Sequence, residues 1–131
     1  MMEYEVDGNI YFDTPDEQKI KEFYNSMREG AAPKTSQINA DRMAEFFEEI
    51  AKDGKDILHL ALSSGISGTY HSATIAAKEV SEKCGVKIIV IDSLCASLAN
   101  GMMCIKASEN RAQGLDIEQD WEVLPQVIET Q

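Results

Sequence analysis

Ile57-Leu58-His59-Leu60-Ala61-Leu62-Ser63-Ser64-Gly65-Ile66-Ser67-Gly68-Thr69 decides the fold. A short, mostly apolar run gives way to serines, glycines and a threonine. That is the pattern of a parallel strand covered on both faces that leaves through a tight polar turn. His59 sits inside the run and reads as a satisfied or edge histidine. The spacing predicts a helix from the turn to Cys84 or Gly85, with Tyr70, Ala73, Ala77 and Val80 on its inner face. Its alanines let it lie close on a sheet. Val86 to Ile91 is a second buried strand with Asp92-Ser93 as its polar exit, and a further helix carries Leu98, Met102 and Ile105 up to Gly114. Strand–helix–strand–helix is a βαβα pattern, which implies a parallel sheet and a right-handed crossover. The fold class is α/β, a parallel-sheet α/β/α domain, with Ile57, Leu60, Leu62, Ile89 and Ile91 expected in its core.

Upstream, Asp7-Gly8 is a strong two-residue turn signal and predicts a hairpin of Glu3–Val6 against Ile10–Phe12. Thr14 as N-cap, Pro15 at the first helical position and Glu17 as capping-box partner then open a helix. Its apolar stripe is Ile20, Phe23, Tyr24 and Met27, and Gly30 ends it. Ala31 to Gln37 reads as a polar loop. Asn39 caps a second helix whose stripe, Met43, Phe46, Phe47 and Ile50, reads as core. Downstream, Asp116-Ile117-Glu118-Gln119 is another capping box, and Pro125 is expected to break that last helix early.

The 131 residues suit one domain, read as a single unit over 1–131. At 44% hydrophobic the chain has enough apolar surface to fold. Its 12 basic against 23 acidic residues, a net charge of −11, exclude a nucleic-acid partner and disfavour an anionic membrane surface. No run is long enough to span a bilayer. The start, Met1-Met2-Glu3-Tyr4-Glu5, lacks the regions of a signal peptide, so the sequence reads as soluble and cytoplasmic. Cys84, Cys95 and Cys104 form no C-x-x-C pair and read as reduced thiols, with Cys95 and Cys104 partly buried. With two distant histidines they make no metal cluster, and no metal or cofactor is expected.

Ligands of open parallel sheets bind at the carboxyl ends of strands, where Ser63–Thr69 and Asp92-Ser93 both fall. The glycines of the first turn allow close backbone approach, and its amides at a helix start attract an anion. Ser67-Gly68-Thr69 reads either as an anion site or as a helix cap. It is no P-loop, because the lysine is absent, and no G-x-S-x-G elbow follows a strand. A hydrolase is therefore disfavoured.

Pro33-Lys34-Thr35-Ser36-Gln37, Leu62-Ser63-Ser64-Gly65-Ile66-Ser67-Gly68-Thr69-Tyr70-His71-Ser72-Ala73 and Val90-Ile91-Asp92-Ser93 closely resemble the DegV family of bacterial fatty-acid-binding proteins, which have the EDD fold. The resemblance runs in order from about Tyr4 to Gly114. It implies a long-chain fatty acid as ligand, its carboxylate held by Thr35 and Ser67, with Ser64 as the fallback, and its chain in an apolar tunnel. Ser36, Gly68 and Ser93 complete the expected binding set. The resemblance also implies a non-enzymatic chain that can serve as the acyl-carrying partner of a fatty acid kinase subunit. Ile38 replaces the family's proline after T-S-Q. The family's first strand, with its T-D-S motif, and its second domain have no counterpart in these residues. The chain is thus expected to be an incomplete first domain, with a gap or a new edge beside Ile57–Leu62 and a tendency to form a homodimer. The alternative is a remnant or assembly domain without ligand binding.

Overall fold

In the computed structural model, which describes residues 3–129, the chain forms two compact units, Met1–Gln37 and Ile38–Gln131. The first is built on the predicted hairpin, β1 (Glu3–Val6) against β2 (Asn9–Phe12), paired from Glu3↔Phe12 to Val6↔Asn9. Asp7 and Gly8 take φ of 49° and 81°, as a two-residue turn matched to strand twist requires. The loop expected at 31–37 contains a short strand, β3 (Lys34–Thr35), antiparallel to β1 with Tyr4↔Thr35 in register. Backbone pairing of two residues leaves no periodic signal in a sequence.

Helix α1 (Glu17–Arg28) is capped by Asp16, not Thr14: the Asp16 carboxylate accepts the amides of Gln18 at 2.9 Å and Lys19 at 3.1 Å. An ionised acceptor at the positive helix end outcompetes a hydroxyl, and Thr14 instead accepts the Asp16 amide. None of the α1 side chains is buried. Of its stripe, Phe23 makes the closest packing, edge-on to Tyr4 at 4.9 Å, and Tyr4 in turn stacks on Tyr11 at 5.5 Å.

In the second unit, β4 (Ile57–Ala61) and β5 (Ile88–Asp92) pair in parallel, joined through α3 (Thr69–Cys84). Alternate strand residues face opposite ways. Ile57, Ile88 and Val90 pack with α2 (Ala40–Ala51) and α3 around Phe47, Ala73, Ala76 and Val80. Leu58, Leu60, Ile89 and Ile91 pack with Met103 of α4 (Ser97–Ala112) and Leu124 of α5 (Ile117–Glu129). The layering is the expected α/β/α. Ile57 and Ile91 are buried, whereas Leu60, Leu62 and Ile89 are half-buried.

Besides the cap of α1, three expectations need correcting, on α2, α5 and Cys104, and α4 shows which of its faces is buried. Phe46 and Ile50 are exposed, while Met43, Ala44, Phe47 and Ala51 are buried, so the inner face of α2 is rotated from the predicted stripe. On α4, Leu98, Met102 and Ile105 are exposed and the buried line is Met103, half-buried Ala107 and Asn110. Asn110 enters the core because its amide donates to the buried Asp120 carboxylate at 2.7 Å. Helix α5 runs through Pro125. The lost amide and crowded carbonyl cost about 3 kcal/mol locally, and the wholly buried Leu124 and the Asn110–Asp120 bond offset that. Cys104 is exposed rather than partly buried. Other ends are as read: Asn39 caps α2 by accepting the Arg42 amide at 2.9 Å, and Gly85 ends α3 at φ 69°. Asp116 and Gln119 close the capping box of α5 reciprocally.

Candidate functional site

The turn between β4 and α3 is organised by its own hydroxyls. Ser63, buried at the strand exit, accepts the Gly65 amide on its Oγ at 3.2 Å, and its carbonyl accepts the amides of Ile66 and Ser67, each at 3.1 Å. The hydroxyls of Ser67 and Thr69 share a hydrogen bond of 2.8 Å, and the Thr69 amide donates to Ser67 Oγ at 3.2 Å. Ser67 thus takes one of the amides that a helix start leaves without an internal carbonyl. Gly68, the N-cap, has no side chain to take another.

The turn after β5 is tied to this one. Asp92 Oδ1 accepts the amides of Ser64 and Leu94, both at 3.1 Å, and the Ser63 amide donates to the Cys95 carbonyl at 3.1 Å. Burial pushes the Asp92 carboxyl up, but the Ser64 hydroxyl and amide and the Leu94 amide outweigh it, so its pKa lies below the ordinary value. Ser93, fully buried, spends its hydroxyl on Cys95, donating to the carbonyl at 3.1 Å and accepting the amide at 3.2 Å. Leu94 and Ser97 take φ of 50° and 53°. Two non-glycine residues in the left-handed region, one in the loop and one at the first position of α4, mark a backbone held by its surroundings.

Of the expected residues, the structure brings Ser64, Ser67, Gly68 and Ser93 together at the carboxyl ends of β4 and β5. Thr35 and Ser36 belong to the first unit, exposed, where they line a small recess of about 110 Å³ with Tyr4, Glu5, Ile10 and Lys34. Sequence reading missed Asp92 as the group that occupies the Ser64 amide; its place directly before Ser93 at a strand end was the available signal.

The second unit also holds an apolar groove of about 620 Å³ along β4, walled by Phe46 and Ile50 of α2 and Ala107 of α4. His59 lines it. Its ring meets Phe47 edge-on at 5.3 Å, and its Nε2 is buried without a hydrogen-bond partner, so of the two expected readings, satisfied or edge, the second holds: among the described residues β4 pairs with β5 alone. Burial lowers its pKa below the ordinary 6.5. Among the described residues no three His, Cys, Asp or Glu side chains gather as metal ligands, and no helix is long and apolar enough to cross a membrane. The turn offers hydroxyl and amide donors, which suit an anion.

Comparison with known proteins agrees with this architecture. The model of the DegV family of uncharacterised proteins matches residues 2–131. A DegV domain-containing protein of Clostridium perfringens is 40% identical over 116 residues, which are 87% of this chain and 40% of the relative. Among solved structures, a fatty-acid-binding DegV family protein of Thermus thermophilus superposes with a TM-score of 0.82 at 31% identity, covering 98% of this chain and 44% of that one. A Thermotoga maritima protein described as revealing a fatty-acid-binding function gives 0.79 at 34% identity, covering 96% and 46%. The chain spans about two-fifths of the length of the curated relatives it matches.

Proposed function

The chain belongs to the DegV family, and from that membership we propose that it binds a long-chain fatty acid, with no catalytic step of its own. Ser67 and the amides around Gly68 receive the carboxylate, and Ser93 and Asp92 hold the turn through their bonds to Cys95 and Ser64. The observation that carries this reading is the Ser67–Thr69 hydroxyl pair at the start of α3, a cluster of neutral donors at a positive helix end. Ser64 is the weaker candidate because Asp92 already takes its amide. The solved structures described as fatty-acid-binding at 31% and 34% identity support the ligand class. Native mass spectrometry of the protein after bacterial expression tests it. A bound mass of a C14–C18 fatty acid is expected; a protein that arrives empty and ignores added palmitate and oleate is instead a remnant or assembly domain.

As an acyl carrier, the chain would present the bound carboxylate to a separate phosphoryl-transferring subunit of a fatty acid kinase. Formation of acyl phosphate from ATP only when both proteins are present checks this. Self-association into a homodimer is supported by Leu98, Met102 and Ile105, three exposed apolar side chains on α4. Light scattering that returns a 14.5 kDa monomer at tens of micromolar overturns it.

A further inference from the structure

We propose that this chain pairs with a second copy of itself through α4, the two helices antiparallel and crossing between Gly101 and Met102, with Glu109 of each copy capping α4 of the other. The proposal rests on the homodimer reading above and assigns its contact. Leu98, Met102 and Ile105 recur at i, i+4 and i+7, each more than half exposed, on the face of α4 that turns away from buried Met103 and Asn110. Gly101 lies beside them, and a Cβ added there would meet nothing within 4 Å. A glycine inside a helix weakens it, and nothing in the chain's own packing calls for this one.

The stripe is complementary to its own inverse. Turning one α4 end for end about the midpoint of Gly101 and Met102 sets Leu98 against the partner's Ile105 and Ile105 against the partner's Leu98. The same turn lays the Met102 side chain over the partner's Gly101. This is the self-matching that a two-fold contact demands, and a stripe that received another kind of chain would have no reason to show it. A long side chain over bare backbone lets the helix axes close to the near end of about 8–10 Å. The stripe and its flanks offer roughly 500 Å² a side, so a pair buries about 1,000 Å², the size of a weak, reversible dimer.

The charges favour the same direction. Helix α4 starts after Ala96 with no side-chain cap and no acid in its first turn. In the inverted pair Glu109 stands level with a point about 4.5 Å before the partner's Ser97. A carboxylate there meets free amides and the positive end of the helix. In a parallel pair it would face its own counterpart instead. The ion pair of Glu109 with Lys106, at 3.5 Å and exposed, is of the kind that holds a side chain only weakly. Arg111 stays outside the contact, because it turns with Cys104 and Ala107 toward the groove along β4.

Sedimentation equilibrium of the full chain measures the pairing, and urea unfolding checks the fold of each variant. A dimer that dissociates at micromolar to tens of micromolar concentration is expected. Gly101→Ala should weaken it by about tenfold or more and leave the urea midpoint equal or higher, because alanine favours the helix. Glu109→Gln should weaken it by about threefold or more, since the two-fold axis makes the contact twice. Arg111→Gln should leave it unchanged. For direction, Leu98→Cys and Ile105→Cys are made separately in a chain that carries Cys84→Ser and Cys104→Ser. Mild oxidation should join the two variants when they are mixed and join neither to itself. A monomer at tens of micromolar overturns the pairing and the homodimer reading together. A dimer unmoved by Gly101→Ala or by Glu109→Gln, or a variant that joins to itself as readily as to the other, overturns the pairing alone.

Discussion

Ser67→Ala is the substitution that weighs cap against binding site. In the free protein the Ser67 hydroxyl accepts the Thr69 amide at 3.2 Å and shares a 2.8 Å bond with Thr69 Oγ1. Removing it leaves that amide without a side-chain acceptor, at a cost of about 1 kcal/mol in stability, as for other lost caps. Binding has a separate ledger. A hydroxyl donating to a carboxylate contributes about 1.5–3 kcal/mol, while the neutral bond between the two hydroxyls, worth about 0.5–1.5 kcal/mol, is given up to present the hydrogen. The difference between the middles of the two ranges, about 1.2 kcal/mol, predicts a roughly eightfold weaker Kd. Calorimetric titration of palmitate measures the affinity, and urea unfolding of the ligand-free protein measures the stability. Thr74→Ala is the control: Thr74 is exposed on the same helix, and its hydroxyl donates to the Tyr70 carbonyl at 2.9 Å. Its Kd should equal that of the wild type. Unchanged affinity in Ser67→Ala would reduce Ser67 to a cap. A loss of 3 kcal/mol or more in stability would show that the turn is structural.

Phe47→Ala should cost about 3–5 kcal/mol in urea unfolding, because Phe47 is wholly buried, and Phe46→Ala beside it less than about 1 kcal/mol, because Phe46 is exposed. Asn110→Ala strands the buried Asp120 carboxylate and should cost about 3 kcal/mol; a change below 1 kcal/mol would mean that water takes over the bond. The lowered pKa of His59 means that the unfolded chain takes up its proton first. Stability should therefore fall as pH drops below about 6.5. His59→Gln should flatten the urea midpoint between pH 7.5 and 5.5, and an equally steep profile in that variant would assign the pH dependence elsewhere.

The βαβα core was legible because strands covered on both faces and a Gly-rich turn leave local signals: Ile57–Ala61, Thr69–Cys84 and Ile88–Asp92 lie where the patterns put them. The hairpin turn at Asp7-Gly8 was legible for the same reason. Which face of a helix turns inward was not. On α4, two lines of residues share the same spacing, and the polar Asn110 disguised the buried one. Only Asp120, ten residues further on, makes that line suitable for the core. Pro125 misled because a local cost says nothing of the packing that offsets it. At the site, the serines and glycines were readable as a donor cluster. The occupation of Ser64 by Asp92 was not, since it joins residues 28 apart.

That long-range tie also sets how much freedom the turn has. Ser63 is fastened to Cys95, Ser64 to Asp92, and Ser67 to Thr69, so three points of a seven-residue segment are already pinned. Ordering a loose loop at the moment of binding consumes about 1–2 kcal/mol per residue of backbone entropy. This turn has met that cost during folding, so the carboxylate of the proposed reading would meet donors already stationary and surrender little of its binding energy to arranging them.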